Sequence, residues 1–139
     1  MAHWLLKSEP GKWSWDDQVK AGKEGTFWNG VRNHLAKKHL IAMKKGERGF
    51  FYHSNDERAI VGIVEIIKEF YPDHTDEIGK VGMVDVKAVK ALKKPVTLAQ
   101  IKAEPGLADT VLVNNSRLSV QPVTDAEWAT ILKMKGEKA

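Results

Sequence analysis

Gly49-Phe50-Phe51-Tyr52-His53-Ser54 and Ala59-Ile60-Val61-Gly62-Ile63-Val64-Glu65-Ile66-Ile67-Lys68-Glu69 are separated only by Asn55-Asp56-Glu57-Arg58. The two apolar runs are rich in aromatic and β-branched residues and read as strands, and the polar residues between them make a connection of hairpin length. Alternation along the first sends Phe51 and His53 to one face and Tyr52 and Ser54 to the other. The second carries Ile60, Val61, Ile63, Val64, Ile66 and Ile67 with no polar face at all. Both of its sides must therefore be covered.

Toward the N-terminus, residues 33–45 read as the main helix, stopped by Gly46 after two lysines. Ala36, Leu40 and Met43 share one narrow arc, while His34, Lys37, Lys38 and Lys45 cluster on another side with Ile41 among them. Residues 27–30 end on a turn signal and 20–26 read as loop. Ser14 is a good N-cap, with Asp16 and Asp17 in the first turn of a short helix reaching Gly22. Residues 3–7 form a first strand, broken by Glu9-Pro10-Gly11. Toward the C-terminus, residues 71–79 read as a polar loop and 81–92 as a strand that Pro95 ends. Thr97 caps a short helix through Lys102. Residues 110–113 and 117–120 read as short extended pieces. Thr124-Asp125-Ala126-Glu127 is a capping box that opens a last helix, with Trp128, Ile131 and Leu132 on its apolar side. A frayed tail follows from about 133. Strands and helices do not alternate as βαβ units require. The expected class is α+β: a mixed, strongly curved sheet or small barrel with helices at its ends and side.

Composition agrees with one globular domain over residues 1–139. The chain has 139 residues, 42% hydrophobic and 29% charged, which excludes a disordered or fibrous class. No stretch approaches the roughly 18 apolar residues of a membrane span. MAHWLLKSEP is charged too early for a secretory signal, so a cytoplasmic location is expected. With no cysteine, a disulfide framework, a thiolate metal site and a cysteine nucleophile are all excluded. The net charge of +4 and a pI near 9.2 admit a polyanionic partner. Four of the five tryptophans, Trp4, Trp13, Trp15 and Trp28, fall within the first 28 residues. A small core rarely needs so many indoles together.

The sequence contains no G-x-S-x-G elbow, Walker loop, G-x-G-x-x-G fingerprint or H-E-x-x-H pair. His34 and His39 are five apart and fall on different helix faces. His74, with Asp73, Asp76 and Glu77, reads as a solvated acidic loop. No metal, cofactor or catalytic residue is expected. Four segments are more informative. Lys7-Ser8-Glu9-Pro10 ends the first strand, where side chains and backbone amides can meet a ligand or simply form a turn. Trp28-Asn29-Gly30-Val31-Arg32-Asn33 brings an indole, a glycine and an arginine to a helix start, although Trp28 can equally be core and Asn33 a cap. His53 and Ser54 stand at the end of an otherwise apolar strand. Arg117-Leu118-Ser119-Val120-Gln121-Pro122-Val123 is a strand rich in hydrogen-bonding groups, or an edge that closes the sheet.

Together these segments resemble the EVE domain family. The likeness runs from Trp4-Leu5-Leu6-Lys7-Ser8-Glu9-Pro10 through Trp13-Ser14-Trp15-Asp16-Asp17, Trp28-x-Gly30-Val31-Arg32-Asn33, Met43-Lys44-Lys45-Gly46 and Phe51-Tyr52-His53-Ser54-Asn55. It continues through Val61-Gly62-Ile63-Val64-Glu65, Pro95-Val96-Thr97-Leu98 and residues 117–123, covering about residues 3–132. The resemblance implies a PUA-like fold, a small mixed β-barrel with flanking helices, and kinship with YTH domains, which hold a methylated adenine in an aromatic cage. It implies a non-catalytic reader of modified bases, DNA carrying methylated or hydroxymethylated cytosine being the expected partner. By the same resemblance Lys7 and Ser8 line the pocket and Trp28 is the surface on which a base stacks. Arg32 and Asn33 reach the base or its phosphate, His53 and Ser54 lie across the pocket, and Arg117 and Ser119 contribute from the late strand. Many relatives carry a second tryptophan where this chain reads Gly79-Lys80-Val81-Gly82-Met83-Val84. Val81 or Met83 replaces that wall, or Trp13 or another aromatic closes the cage.

A base in a duplex exposes only its edges, so a pocket that reads one must receive it flipped out. Two rivals belong to other classes. One is an RNA-binding PUA-like module. The other is a small hydrolase acting on nucleosides or acyl-amides, with Lys7 and Glu9 as an acid/base pair.

Overall fold

In the computed structural model, which describes residues 2–28, 34–54, 58–72, 82–115 and 118–134, six strands make one mixed sheet. They are β1 (His3–Ser8), β2 (Thr26–Trp28), β3 (Arg48–His53), β4 (Ala59–Pro72), β5 (Gly82–Thr97) and β6 (Val120–Val123), in the spatial order β2-β5-β4-β3-β1-β6. β1 runs parallel to β3, and the other neighbours are antiparallel. β4 and β5 are long, and their pairing shifts register at four places. Each shift adds local twist, and the sheet curls into a half-barrel.

The helices are α1 (Trp15–Lys20), α2 (His34–Ala42), α3 (Leu98–Ala103), α4 (Val111–Asn114) and α5 (Asp125–Met134). The sheet is buried on both sides, as the unbroken apolar run of β4 demands. On one face Trp4, Leu6, Phe51, Val64, Ile66, Val84 and Val86 pack with Trp15 of α1 and with Ala36, Leu40 and Met43 at α2. On the other, Leu5, Phe50, Tyr52, Ile60 and Ile63 pack with Ile101, Leu112, Trp128, Ile131 and Leu132. Ile41 projects from α2 and is half exposed.

The capping readings hold at three helices. Ser14 and Asp17 bond reciprocally at the start of α1, Thr97 and Gln100 at α3, and Thr124 and Glu127 at α5. Four local readings are corrected. Pro95 does not end β5, which continues to Thr97. Residues 92–95 stand opposite the single residue Val61 in a bulge, where no ladder N–H is needed from a proline. Residues 110–113 are not extended: Thr110 accepts from the Val113 N–H and caps the single turn of α4. Residues 26–28 are not loop or the lead-in to a turn but the strand β2, which pairs Thr26, Phe27 and Trp28 with Val86, Asp85 and Val84. α2 ends at Ala42, three residues before Lys45, and Gly46 takes a positive φ of 93° in the turn beyond it.

Glu47 ties this half of the fold together. It is buried, and its carboxylate accepts from the Trp4 indole Nε1 at 3.0 Å, the Lys44 N–H at 2.7 Å and the Ala2 N–H at 3.0 Å. Burial opposes its ionisation, but the three donors outweigh it and hold the carboxyl below the ordinary glutamate value.

Candidate functional site

The parallel pairing of β1 and β3 brings both strands to a common end. Lys7 stands beside Tyr52 and Ser8 beside His53, and the Ser54 N–H donates to the Ser8 carbonyl at 2.9 Å. Alternation then sorts the candidate residues. Ser8 and His53 share the face of Trp15, Trp28 and Phe51, whereas Lys7 shares the face of Tyr52.

On the first face a pocket of about 330 Å³ opens between the β1 end, the following turn and β2. It is lined by Lys7, Ser8, Glu9, Lys12, Trp13, Phe27 and Trp28. Its size falls in the range of small-ligand sites, about 300–1,000 Å³. Trp28 is only 8% exposed and packs edge-on against Phe51, with ring centroids 5.5 Å apart and planes at 88°. It is therefore both core and pocket lining. Trp13 is half-buried and Phe27 is 48% exposed, so these two form the open walls.

The walls are held from behind. The Trp13 indole Nε1 donates to Gln18 Oε1 at 2.9 Å, and Gln18 Nε2 donates to the Val86 carbonyl at 3.2 Å. Gln18 is completely buried, so its amide links Trp13 to β5 through the dry core. The Ser8 hydroxyl donates to the Trp13 carbonyl. Behind them the Trp15 ring packs edge-on against Phe51 at 5.4 Å, and the Trp15 backbone N–H donates to His53 Nε2 at 2.9 Å. The indole of Trp15 lies where Gly62 has no side chain: a Cβ there would stand 2.5 Å from the ring. At Gly25, φ is 69° and a Cβ would meet the Val86 carbonyl at 2.3 Å. Only glycine allows the chain to turn into β2 so close to β5.

Of the residues singled out in the sequence, Lys7, Ser8 and Trp28 come together in this pocket. His53 is buried behind it, supporting α1. Ser54 lines a different cleft, on the other face, with Lys7, Tyr52, Arg58 and Lys102. Ser119 does not line either cavity; its carbonyl accepts from the Lys7 N–H at 2.9 Å and fixes the end of β1. Arg32, Asn33 and Arg117 lie outside the described residues. Of the groups able to replace a missing second tryptophan, Trp13 faces the pocket. Met83 is completely buried, and Val81 is outside the described residues. Phe27 and Gln18 were not singled out. Phe27 became visible only with β2, and nothing local marks a helical glutamine as buried.

A model of the EVE domain matches residues 2–134. The chain belongs to the EVE domain family. A Rhodopseudomonas palustris protein solved by NMR is 60% identical, with a TM-score of 0.94, covering 98% of this chain and 94% of that one. Human THYN1, solved in complex with 5-methylcytosine containing DNA, is 37% identical with a TM-score of 0.92, each chain covered over 100%. The YTH domain of a Zygosaccharomyces rouxii protein, 19% identical with a TM-score of 0.59 over 99% of this chain and 88% of that one, shares the fold. The expected PUA-like architecture is thereby met, the barrel being a curled half-barrel.

Proposed function

We propose that this EVE domain is a non-catalytic reader that takes a flipped, modified cytosine from DNA into the pocket walled by Trp13, Phe27 and Trp28. One observation carries the reading. An aromatic-walled pocket of about 330 Å³ occurs in a chain that matches, over its whole length, a human protein crystallised with 5-methylcytosine containing DNA.

The chemistry supports it. Stacking on an aromatic side chain is worth about 1–3 kcal/mol per base and is indifferent to base identity. A methyl group buried against these rings adds about 1 kcal/mol, roughly a five-fold preference. Finer discrimination needs a polar group. The Ser8 hydroxyl spends its hydrogen on the Trp13 carbonyl. Its oxygen keeps acceptor capacity, which suits the exocyclic amine of cytosine or a hydroxymethyl group.

The same contacts argue against hydrolysis. Ser8 donates to a carbonyl rather than to an imidazole, and His53 Nε2 takes the Trp15 N–H. Glu9 is drawn to Lys12, with 3.6 Å between charged atoms, while the Lys7 ammonium lies 5.6 Å over the Tyr52 ring on the other face. Lys7 and Glu9 are thus not presented as an acid/base pair.

The test is binding at fixed salt to matched DNA duplexes whose central cytosine is plain, methylated or hydroxymethylated, with RNA of the same sequence as competitor. A several-fold preference for a modified duplex, lost in Phe27→Ala and Trp28→Phe, is expected. Equal binding to all duplexes, or tighter binding of the RNA, overturns the reading.

A further inference from the structure

The second cleft, about 370 Å³ in volume, lies at the same end of the sheet as the aromatic pocket and shares Lys7 with it. Its chemistry is different. Three cationic side chains, Lys7, Arg58 and Lys102, line it together with Tyr52 and Ser54, and no carboxylate is among the described residues that do so. Lys7 is fixed by the pairing of β1 and β3, and its ammonium sits over the face of Tyr52. The cations come from three separate places: β1, the residue before β4, and α3. They converge although like charges repel. Arg58 has a positive φ of 46°, a strained conformation for a residue with a side chain. Its carbonyl accepts from the Leu98 N–H at 2.8 Å, anchoring it to the start of α3, the helix that carries Lys102. Burial lowers the proton affinity of Lys7, and an anion bound beside it would favour its charged form.

We infer that the cleft framed by Lys7, Arg58 and Lys102 is a phosphate subsite for the strand whose base occupies the aromatic pocket. Lys7 stands between the two, so the base and a backbone phosphate of one strand can be held together across the end of β1. The inference rests on the proposed reader function for the identity of the polyanion. The cleft reads no sequence: a phosphate contact positions the strand and leaves base preference to the pocket. The shared chemistry, a phosphate oxyanion, also allows free phosphate as a ligand.

The experiment uses the full chain and the double variant Arg58→Gln/Lys102→Gln, changed at two exposed side chains, with thermal unfolding expected to match the wild type. Affinity for methylated and unmethylated duplex is measured across a salt series. The double variant is expected to bind both duplexes several-fold more weakly by the same factor. Its slope of log affinity against log salt should be shallower by about 0.9, the value for one phosphate contact. An unchanged affinity and slope overturns the subsite. The slope change in the double variant together with no methyl preference in the wild-type chain refutes the base reading and leaves the subsite standing. Inorganic phosphate is added in parallel to the labelled protein. Shifts at Ser54, Arg58 and Lys102 with no change in the DNA slope identify a free-anion site and overturn the backbone assignment.

Discussion

Gln18→Leu tests how the pocket wall is held. Leucine has nearly the volume of glutamine, so no large cavity opens, but both amide bonds vanish. The Val86 carbonyl loses a donor in a core where Gln18 has no exposure at all. That deficit is about 1–2 kcal/mol, and the half-buried Trp13 indole, which water can reach, adds about 1 kcal/mol. The extra apolar burial of leucine offsets part of this, leaving a net loss of about 2 kcal/mol. For a chain of this size that is a fall in Tm of about 6–10 °C. Urea denaturation should show the midpoint falling with an unchanged slope. Because Trp13 is no longer tied to β5, affinity for methylated DNA should fall at least several-fold under conditions where the variant is folded. A stability loss below about 0.5 kcal/mol refutes the role of Gln18 as a buried link. Full stability loss with unchanged DNA affinity refutes Trp13 as a working wall.

Three further outcomes are expected. Glu47→Gln should cost stability at neutral pH. The folded carboxyl titrates below its unfolded value, so its contribution is present above pH of about 4.3 and lost as pH falls through the lower, folded value. Denaturation of both proteins from pH 7 to pH 2 should therefore show the difference between them shrinking on the acid side. Gly62→Ala drives a methyl into the Trp15 ring and should destabilise by about 1–3 kcal/mol, read by thermal unfolding. Phe27→Ala, at a side chain 48% exposed, should change stability by less than about 1 kcal/mol while weakening methylated-DNA binding about five-fold or more, read by titration calorimetry.

Much of the framework was legible because its causes are local. The β4 run from Ile60 to Ile67 has no polar face, and the structure covers it on both sides. Ser14, Thr97 and Thr124 mark helix starts because a hydroxyl must meet an orphan N–H. What was not legible depends on partners distant in sequence. β2 is three residues long and exists through pairing with β5. Pro95 looked like a strand end because the bulge opposite Val61 has no local signature. The site divides in the same way. Ser8 could be placed by its position at the end of β1 and Trp28 by resemblance, but the separation of Ser54 from them follows from alternation across β3 once the pocket's face is known. Gln18 acquires its role only when Trp13 and Val86 are brought to either side of it.

The most direct test is to place a ¹³C label on the methyl group of 5-methylcytosine in a short duplex and bind it to the protein. Nuclear Overhauser contacts should run from that methyl to the ring protons of Trp13, Phe27 or Trp28. Methyl contacts to another surface, such as the Arg48–Glu65–Lys87 cluster, or a methyl still stacked between its neighbouring bases in the saturated complex, would contradict the account.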